Sequence, residues 1–264
     1  MPITFAYRET WLHRVNPTLK LALCLAWFVL VLFTHNPSVM ANMTAVSLLA
    51  LAAWSGHPAK RLALYVLPAV ILFVSSSTSM IFYGKGETTW WEWGLIHVTK
   101  ESFYRGVQVG LKSLCFAFVG LAFALTTRPV LLFYSLMQQC KVPPKYAYGF
   151  MAAMRLLPMM ADEVQTLRHA LAVRGVGRER GPKGWYRKAK AYAVPMLAQS
   201  IRRAQRIAVA MEAKRFAGSG RRTYYYEVGF GPADAAFAAG ALAAIALAYL
   251  AGVQWPYVDV TDVR

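Results

Sequence analysis

Side chains able to do chemistry are sparse in this chain, and those that stand out are cations at the ends of helices. Ala172-Val173-Arg174-Gly175 closes one long helical pattern, and Ala213-Lys214-Arg215-Phe216 closes another about 40 residues later. A cation at a helix C-terminus complements the negative end of the helix dipole. That accounts for a basic residue, but not for its presence twice after alanine on two long helices. Two such tips in one basic segment fit two plugs offered to a two-fold partner, a transmitting role and not a catalytic one. Other chemistries find little material. His13, His35, His57, His97 and His169 are scattered without HExxH or paired spacing, and Cys24, Cys115 and Cys140 are odd in number and far apart. Neither a metal site nor a disulfide framework is expected from such spacing. Asp, Glu and His do not cluster, and no GxxxxGK[ST] element is present. No catalytic residue, metal or resident cofactor is therefore assigned.

The elements that carry these tips belong to a membrane protein. The chain is 57% hydrophobic and only 16% charged, yet its formal net charge is +17. That combination is stable when apolar spans and cations are segregated along the chain. Five apolar runs, Leu19–Phe33, Val39–Trp54, Leu62–Tyr83, Val107–Thr126 and Ala233–Val253, are each close to the ~20 residues that cross a bilayer. The first two need their flanks to do so. Between the fourth and fifth runs, residues 127–232 hold 19 lysines and arginines against 5 acids. Lys60 and Arg61 lie between the second and third runs, whereas His35-Asn36-Pro37 has no Lys or Arg. The positive-inside bias then places the N-terminus and the basic segment in the cytoplasm, and the 84–101 loop with Trp90, Trp91 and Trp93 outside. Those tryptophans fit an interfacial belt, and the short C-terminus ends outside. The polar, aromatic start, Met1–Asn16, lacks a small-residue cleavage pattern, so no cleaved leader is expected. Nucleic-acid binding would also use positive charge, but here the cations ride on amphipathic helices joined to membrane spans.

Within the basic segment, Pro143 and Pro144 mark a stop and a helix start. A helix is expected from about Tyr146 to Val173, bent at Pro158, with Val164, Leu167 and Leu171 as its stripe and Asp162, Glu163, Thr166 and Arg168 facing elsewhere. Gly181-Pro182-Lys183-Gly184 breaks the chain, and Trp185-Tyr186 with Arg187, Lys188 and Lys190 fits an interfacial piece. A second helix follows from about Val194 to Lys214. Its seam of Val194, Leu197, Ile201, Ala204, Ala208 and Met211 is suited to helix packing, with Arg202, Arg203 and Arg206 off the seam. In the last span, Ala236, Gly240 and Ala244 favour close packing, expected mainly within the chain.

Several blocks resemble, in order, the transmembrane coupling (T) component of energy-coupling factor transporters, a family of EcfT- and CbiQ-like subunits. Leu12-His13-Arg14-Val15-Asn16-Pro17-Thr18-Leu19-Lys20-Leu21 is similar to the family's L-H-x-[LV]-[DN]-P-x-x-K-L block. Thr126-Thr127-Arg128-Pro129, Val142-Pro143-Pro144-Lys145 and Arg155-Leu156-Leu157-Pro158 resemble its T-T-x-P, L-P-x-[KR] and R-[FY]-[LI]-P motifs. Ala172, Arg174 and Gly175 stand at the first Ala-Arg-Gly motif, and Met211-Glu212-Ala213-Lys214-Arg215-Phe216 at the second, usually M-E-A-R-G-[FY]. The resemblance implies that Arg174 caps a coupling helix docked in a groove of an ATPase subunit. In the second motif Lys214 holds the usual arginine position and Arg215 the usual glycine, so either residue is a candidate for that contact. Pro143, Pro144, Arg155 and Pro158 are implied as structural motifs of the coupling domain.

The expected architecture is all-α: a polytopic membrane protein of about five spans with a helical coupling domain. Its parts are a membrane domain over 1–126, a coupling domain over 127–232 and a last span with its tail over 233–264. The implied partners are two ABC-type ATPase subunits, which bind ATP and Mg, a small membrane substrate-binding subunit and the lipid bilayer. The cargo is a vitamin, a vitamin precursor or a transition-metal ion. A self-contained permease or channel would instead need ionisable groups deep in its spans. Lys20 and Lys112 are expected near span ends, where they snorkel. A membrane-embedded lipid-modifying enzyme would need an Asp, Glu or His cluster.

Overall fold

The computed structural model describes residues 10–84, 89–93, 96–175, 181–216 and 223–256. The chain divides into two compact units, one of residues 1–135 with 228–264 and one of residues 136–227. The first holds helices α1 (Pro17–Phe33), α2 (Pro37–Trp54), α3 (Ala59–Tyr83), α4 (Lys100–Thr126) and α8 (Pro232–Gln254). Four of these are long and apolar enough to cross a membrane, and α1, at 17 residues, is a shorter apolar helix. A two-stranded antiparallel hairpin, β1 (Thr89–Trp93) and β2 (Ile96–Thr99), joins α3 to α4 where only a loop was expected. The side chains of Trp90, Trp91 and Trp93, and with them the belt expected there, lie outside the described residues. The second unit holds α6 (Pro144–Val173) and α7 (Pro182–Ala213). An unforeseen helix, α5 (Pro129–Gln139), runs across the boundary between the two units.

One local device starts both α1 and α2. Asn16 and Asn36 each precede a proline at the first helical position, and their side chains accept from Thr18 N–H (3.0 Å) and Ser38 N–H (2.9 Å). Proline has no donor to lose there, and asparagine satisfies an amide that the helix leaves open.

Close backbone approach holds the membrane unit together. Gly106 and Gly110 lie one turn apart on α4. A Cβ on Gly106 would fall 2.5 Å from Ile81, and one on Gly110 would fall 2.7 Å from the Phe73 ring. Glycine at that spacing lets α3 and α4 meet backbone to side chain, the contact that substitutes for hydrophobic collapse between helices in lipid. Gly252 of α8 does the same against α2, since a Cβ there would meet Val39 Cα at 2.6 Å. The apolar stripe of the last span behaves differently. Ala236 is exposed, and nothing lies within 4 Å of a Cβ placed on Gly240. The face of α8 that packs within the chain carries Ile245, Ala248 and Gly252 instead. The expectation of intrachain packing through Ala236 and Gly240 is thus corrected: those residues were read by spacing alone, and spacing does not say which neighbour is present.

Two lysines expected to snorkel are fixed to helix ends. Lys20, 4% exposed, donates from Nζ to the Thr126 carbonyl at 3.1 Å, at the C-terminus of α4. Lys112 donates to the Leu32 carbonyl at 3.2 Å, at the C-terminus of α1, and Gln108 donates to the Thr34 carbonyl beside it. The antiparallel helices α1 and α4 therefore cap each other. Terminal carbonyls have no partner within their own helix, and in hydrocarbon no water replaces it. A cation there also meets the negative end of the dipole.

Candidate functional site

The two basic tips share a backbone design. α6 ends at Arg174, whose φ and ψ are −78° and 3°, and α7 ends at Lys214, at −84° and 13°. Each residue's N–H reaches the carbonyl four residues back, Ala170 for Arg174 and Ala210 for Lys214, both at 3.2 Å. The next residue turns left-handed in both, Gly175 at φ +71° and Arg215 at φ +51°. Arg215 N–H then donates to Glu212 O at 2.8 Å, and Phe216 N–H to Met211 O at 2.9 Å. These two bonds form a complete Schellman closure. In backbone position Lys214 is the counterpart of Arg174, and Arg215 stands where Gly175 does. A side chain in the left-handed region costs roughly 1–2 kcal/mol, which Gly175 avoids. Ala172, Arg174 and Gly175 are exposed, as are Ala213, Lys214 and Arg215.

The helices that carry the tips run antiparallel. Glu163 accepts from Gln199 Nε2 at 3.3 Å and is ion-paired with Arg203. Ser200 Oγ approaches Met160 Sδ at 3.8 Å, and the Tyr148 and Phe216 rings meet edge to face at 5.5 Å. As α6 is followed back from Glu163 to Tyr148, α7 is followed forward from Arg203 to Phe216. Arg174 and Lys214 therefore stand at opposite ends of the pair. Each lies 11 residues beyond the Glu163–Arg203 contact, about 16 Å along its own helix.

This contact corrects several sequence expectations. Glu163 does not face away from the packing stripe; it joins Met160, Leu167 and Leu171 on the inner face, while Val164 is exposed. Arg203 lies in the contact, and Arg202 and Arg206 remain exposed. Most of the α7 seam points outward: Val194, Leu197 and Ile201 are exposed, Leu197 by 63%, and so are Ala204 and Ala208, whereas Met211 is half-buried. The inner face mixes apolar residues, Met160, Leu167 and Leu171 of α6 with Met196, Ile207 and Met211 of α7, with the Glu163–Arg203 pair. Helix α7 also begins at Pro182 and not near Val194, so Trp185 and Tyr186 belong to it.

Of the structural motifs, only Pro143 and Pro144 fall where chain direction is set. Pro143 caps α6 and Pro144 is its first residue, after Lys141 turns at φ +53°. Pro158 lies within the unbroken α6 and is exposed, as is Arg155. A second set, Ser135 and Asp234, was not anticipated. Asp234 accepts from Asn16 N–H at 2.6 Å and from Gly231 N–H at 2.8 Å. Ser135 Oγ donates to Asn16 Oδ1 at 2.8 Å and lies 2.5 Å from Thr18 Oγ1. This buried knot ties the starts of α1 and α8 to α5. Its only trace in the sequence is an acid at the third residue of an otherwise apolar span. Among the described residues no group of three or more His, Cys, Asp and Glu side chains could hold a metal ion.

With that geometry, comparison with known proteins is decisive. Residues 8–225 match the CbiQ family, described as cobalt transport protein. The chain belongs to that family. This CbiQ-family chain is similar to the energy-coupling factor transporter transmembrane protein EcfT of Acidaminococcus fermentans, 28% identical over 254 residues, 92% of each chain. It is also 27% identical over 235 residues to the EcfT of Limosilactobacillus fermentum, covering 85% of this chain and 87% of that one. The resemblance drawn from the ordered motifs and the family match agree. The chain is a multi-pass membrane protein of the energy-coupling factor transporter T-component type.

Proposed function

We propose that this chain is the coupling subunit of an ATP-driven importer. It transmits movement of an ATPase dimer to a small substrate-binding membrane subunit. The observation that carries the reading is the pair of equivalent, exposed basic tips at opposite ends of one antiparallel helix pair. Each tip offers one cation on a closed helix end, a shape that fits end-on docking into an acid-lined groove. Tips facing opposite ways suit two separate subunits better than one. The chain itself catalyses nothing: ATP and Mg²⁺ are held by the ATPase partners, and the coupling unit and N-terminus face the cytoplasm where ATP is found. The outward seam of α7, Val194, Leu197, Ile201, Ala204 and Ala208, and the open face of α8 at Ala236 and Gly240 are the surfaces for the substrate-binding subunit. The cargo is a vitamin, a vitamin precursor or a transition-metal ion.

The test is charge reversal at each tip in the intact complex. Arg174→Glu and Lys214→Glu should each abolish co-purification of an ATPase pair and substrate uptake, while leaving the chain folded and membrane-inserted. Retention of both partners and of uptake by Arg174→Glu would defeat the coupling reading.

A further inference from the structure

Asn16 and Asn36 start helices by the same device, yet only Asn16 reaches beyond its own helix. The Asn36 side chain accepts from Ser38 and Val39 N–H and, among the described residues, bonds to nothing farther along the chain. Asn16 accepts from Thr18 N–H in the same way, and that completes the cap. It then makes three bonds that capping does not require. Its Oδ1 also accepts from Ser135 Oγ at 2.8 Å, its Nδ2 donates to the Gly229 carbonyl at 3.3 Å, and its backbone N–H donates to Asp234 Oδ1. Asn16 is 3% exposed, and Ser135 and Asp234 are buried with it. In so dry a position a lost bond leaves a polar group that water does not answer.

These partners lie where the chain passes between the two units. It leaves the membrane unit after Ser135 and returns at Val228. One side chain therefore holds the last residue on the way out and the second residue on the way back. Within the second unit, Gln138 Nε2 donates to the Tyr226 carbonyl at 2.6 Å, so the two lengths of chain are paired there as well. Without Asn16, irregular backbone alone would lead from either pass into the membrane helices. Residues 127–128 separate α5 from α4, and residues 228–231, two of them glycine, precede α8. Such backbone absorbs a displacement by rotating its own dihedrals.

We propose that Asn16 is a positioning residue for coupling, a clamp that holds both passes of the chain to the start of α1. Movement of the coupling unit then enters the membrane unit at α1 and α8 and is not lost in the linkers. The inference rests on the coupling reading above and adds the point of entry. Coupling between distant sites travels through hydrogen-bond networks joined to rigid elements. Asn16, Ser135 and Asp234 form such a network across α1, α5 and α8.

The experiment places the full chain in lipid nanodiscs with its two ATPase subunits. Hydrogen exchange is compared without nucleotide and with MgATP plus vanadate. In the unaltered complex the nucleotide should change exchange in α6 and α7 and also in the first turns of α1 and α8. Asn16→Ala should keep ATPase affinity and the response of α6 and α7, but shrink the response of α1 and α8 by about fivefold or more, the lower end of ordinary site-to-site coupling. Ser135→Ala releases only the first pass and should shrink that response in part; it decides the matter if Asn16→Ala does not fold. Asn36→Ala removes the equivalent cap from α2 and should leave the response whole. A full response of α1 and α8 in folded Asn16→Ala or Ser135→Ala overturns the clamp. So does an equal loss in Asn36→Ala, or a loss of ATPase binding along with the responses, which is the result a merely structural residue gives. If Arg174→Glu leaves ATPase binding intact, the coupling reading itself fails. If Arg174→Glu abolishes binding while Asn16→Ala transmits the full response, only the clamp does.

Discussion

At the scale of single residues, the second tip shows how charge and backbone demand can be separated. Lys214 stands where Arg174 stands, and Arg215 carries the left-handed turn that Gly175 makes without strain. Lysine is a point charge without the guanidinium fork, so this tip offers less directional recognition of a carboxylate. Arg215→Gly should raise stability by roughly 1 kcal/mol, the cost of the left-handed conformation set against the greater freedom of glycine in the unfolded chain. If the proposed ATPase contact is made by Lys214, binding of the ATPase pair should persist. Thermal unfolding in detergent and co-purification measure the two effects independently. A loss of ATPase binding in this variant would assign the contact to Arg215.

At the scale of elements, helices in this membrane unit meet through glycine and through satisfied polar ends. The same substitution at two glycines should therefore have opposite results. Gly110→Val drives a branched side chain into the Phe73 ring, 2.7 Å from the Cβ position, and should prevent assembly of α3 on α4. Gly240→Val meets nothing within 4 Å and should leave the isolated chain's melting temperature nearly unchanged. Overpacking of a close contact commonly costs 1–3 kcal/mol and more where backbone must move. Comparing purified yield and thermal unfolding of the two variants decides it. Equal behaviour would mean that α3 and α4 do not depend on their close approach. The reciprocal lysine caps of α1 and α4 belong to the same logic: each amine answers carbonyls that lipid cannot answer.

At the scale of the whole chain, charge and apolar surface are divided by region. Residues 127–232 hold most of the excess positive charge, while α1, α2, α3 and α8 expose leucine, isoleucine and phenylalanine as lipid-facing residues do. A partner for the basic segment should be acidic and its capture sensitive to salt. The screening length falls from about 10 Å at 0.1 M to about 3 Å at 1 M. Association of the ATPase pair should weaken several-fold over that range, chiefly through a slower on-rate. Surface-based binding kinetics would show it, and a salt-independent on-rate would remove electrostatic steering from the account.

Local chemistry made much of this protein legible from residues alone. The spans follow from runs of apolar residues, the start of α6 from Pro143-Pro144, and the tips from a cation followed by a turn. Each depends on a few neighbours in sequence. Which faces meet was decided only in three dimensions. Most of the α7 seam, read as a packing surface, points outward, while Glu163 and Arg203, read as lying off the packing faces, pair between the two helices. Lys20, Ser135 and Asp234 gained partners more than 100 residues away. Periodicity reports that a face is apolar, but lipid, a partner subunit and a neighbouring helix accept the same side chains. The choice among them is made by close approach and by buried polar groups finding partners, and both belong to the tertiary structure.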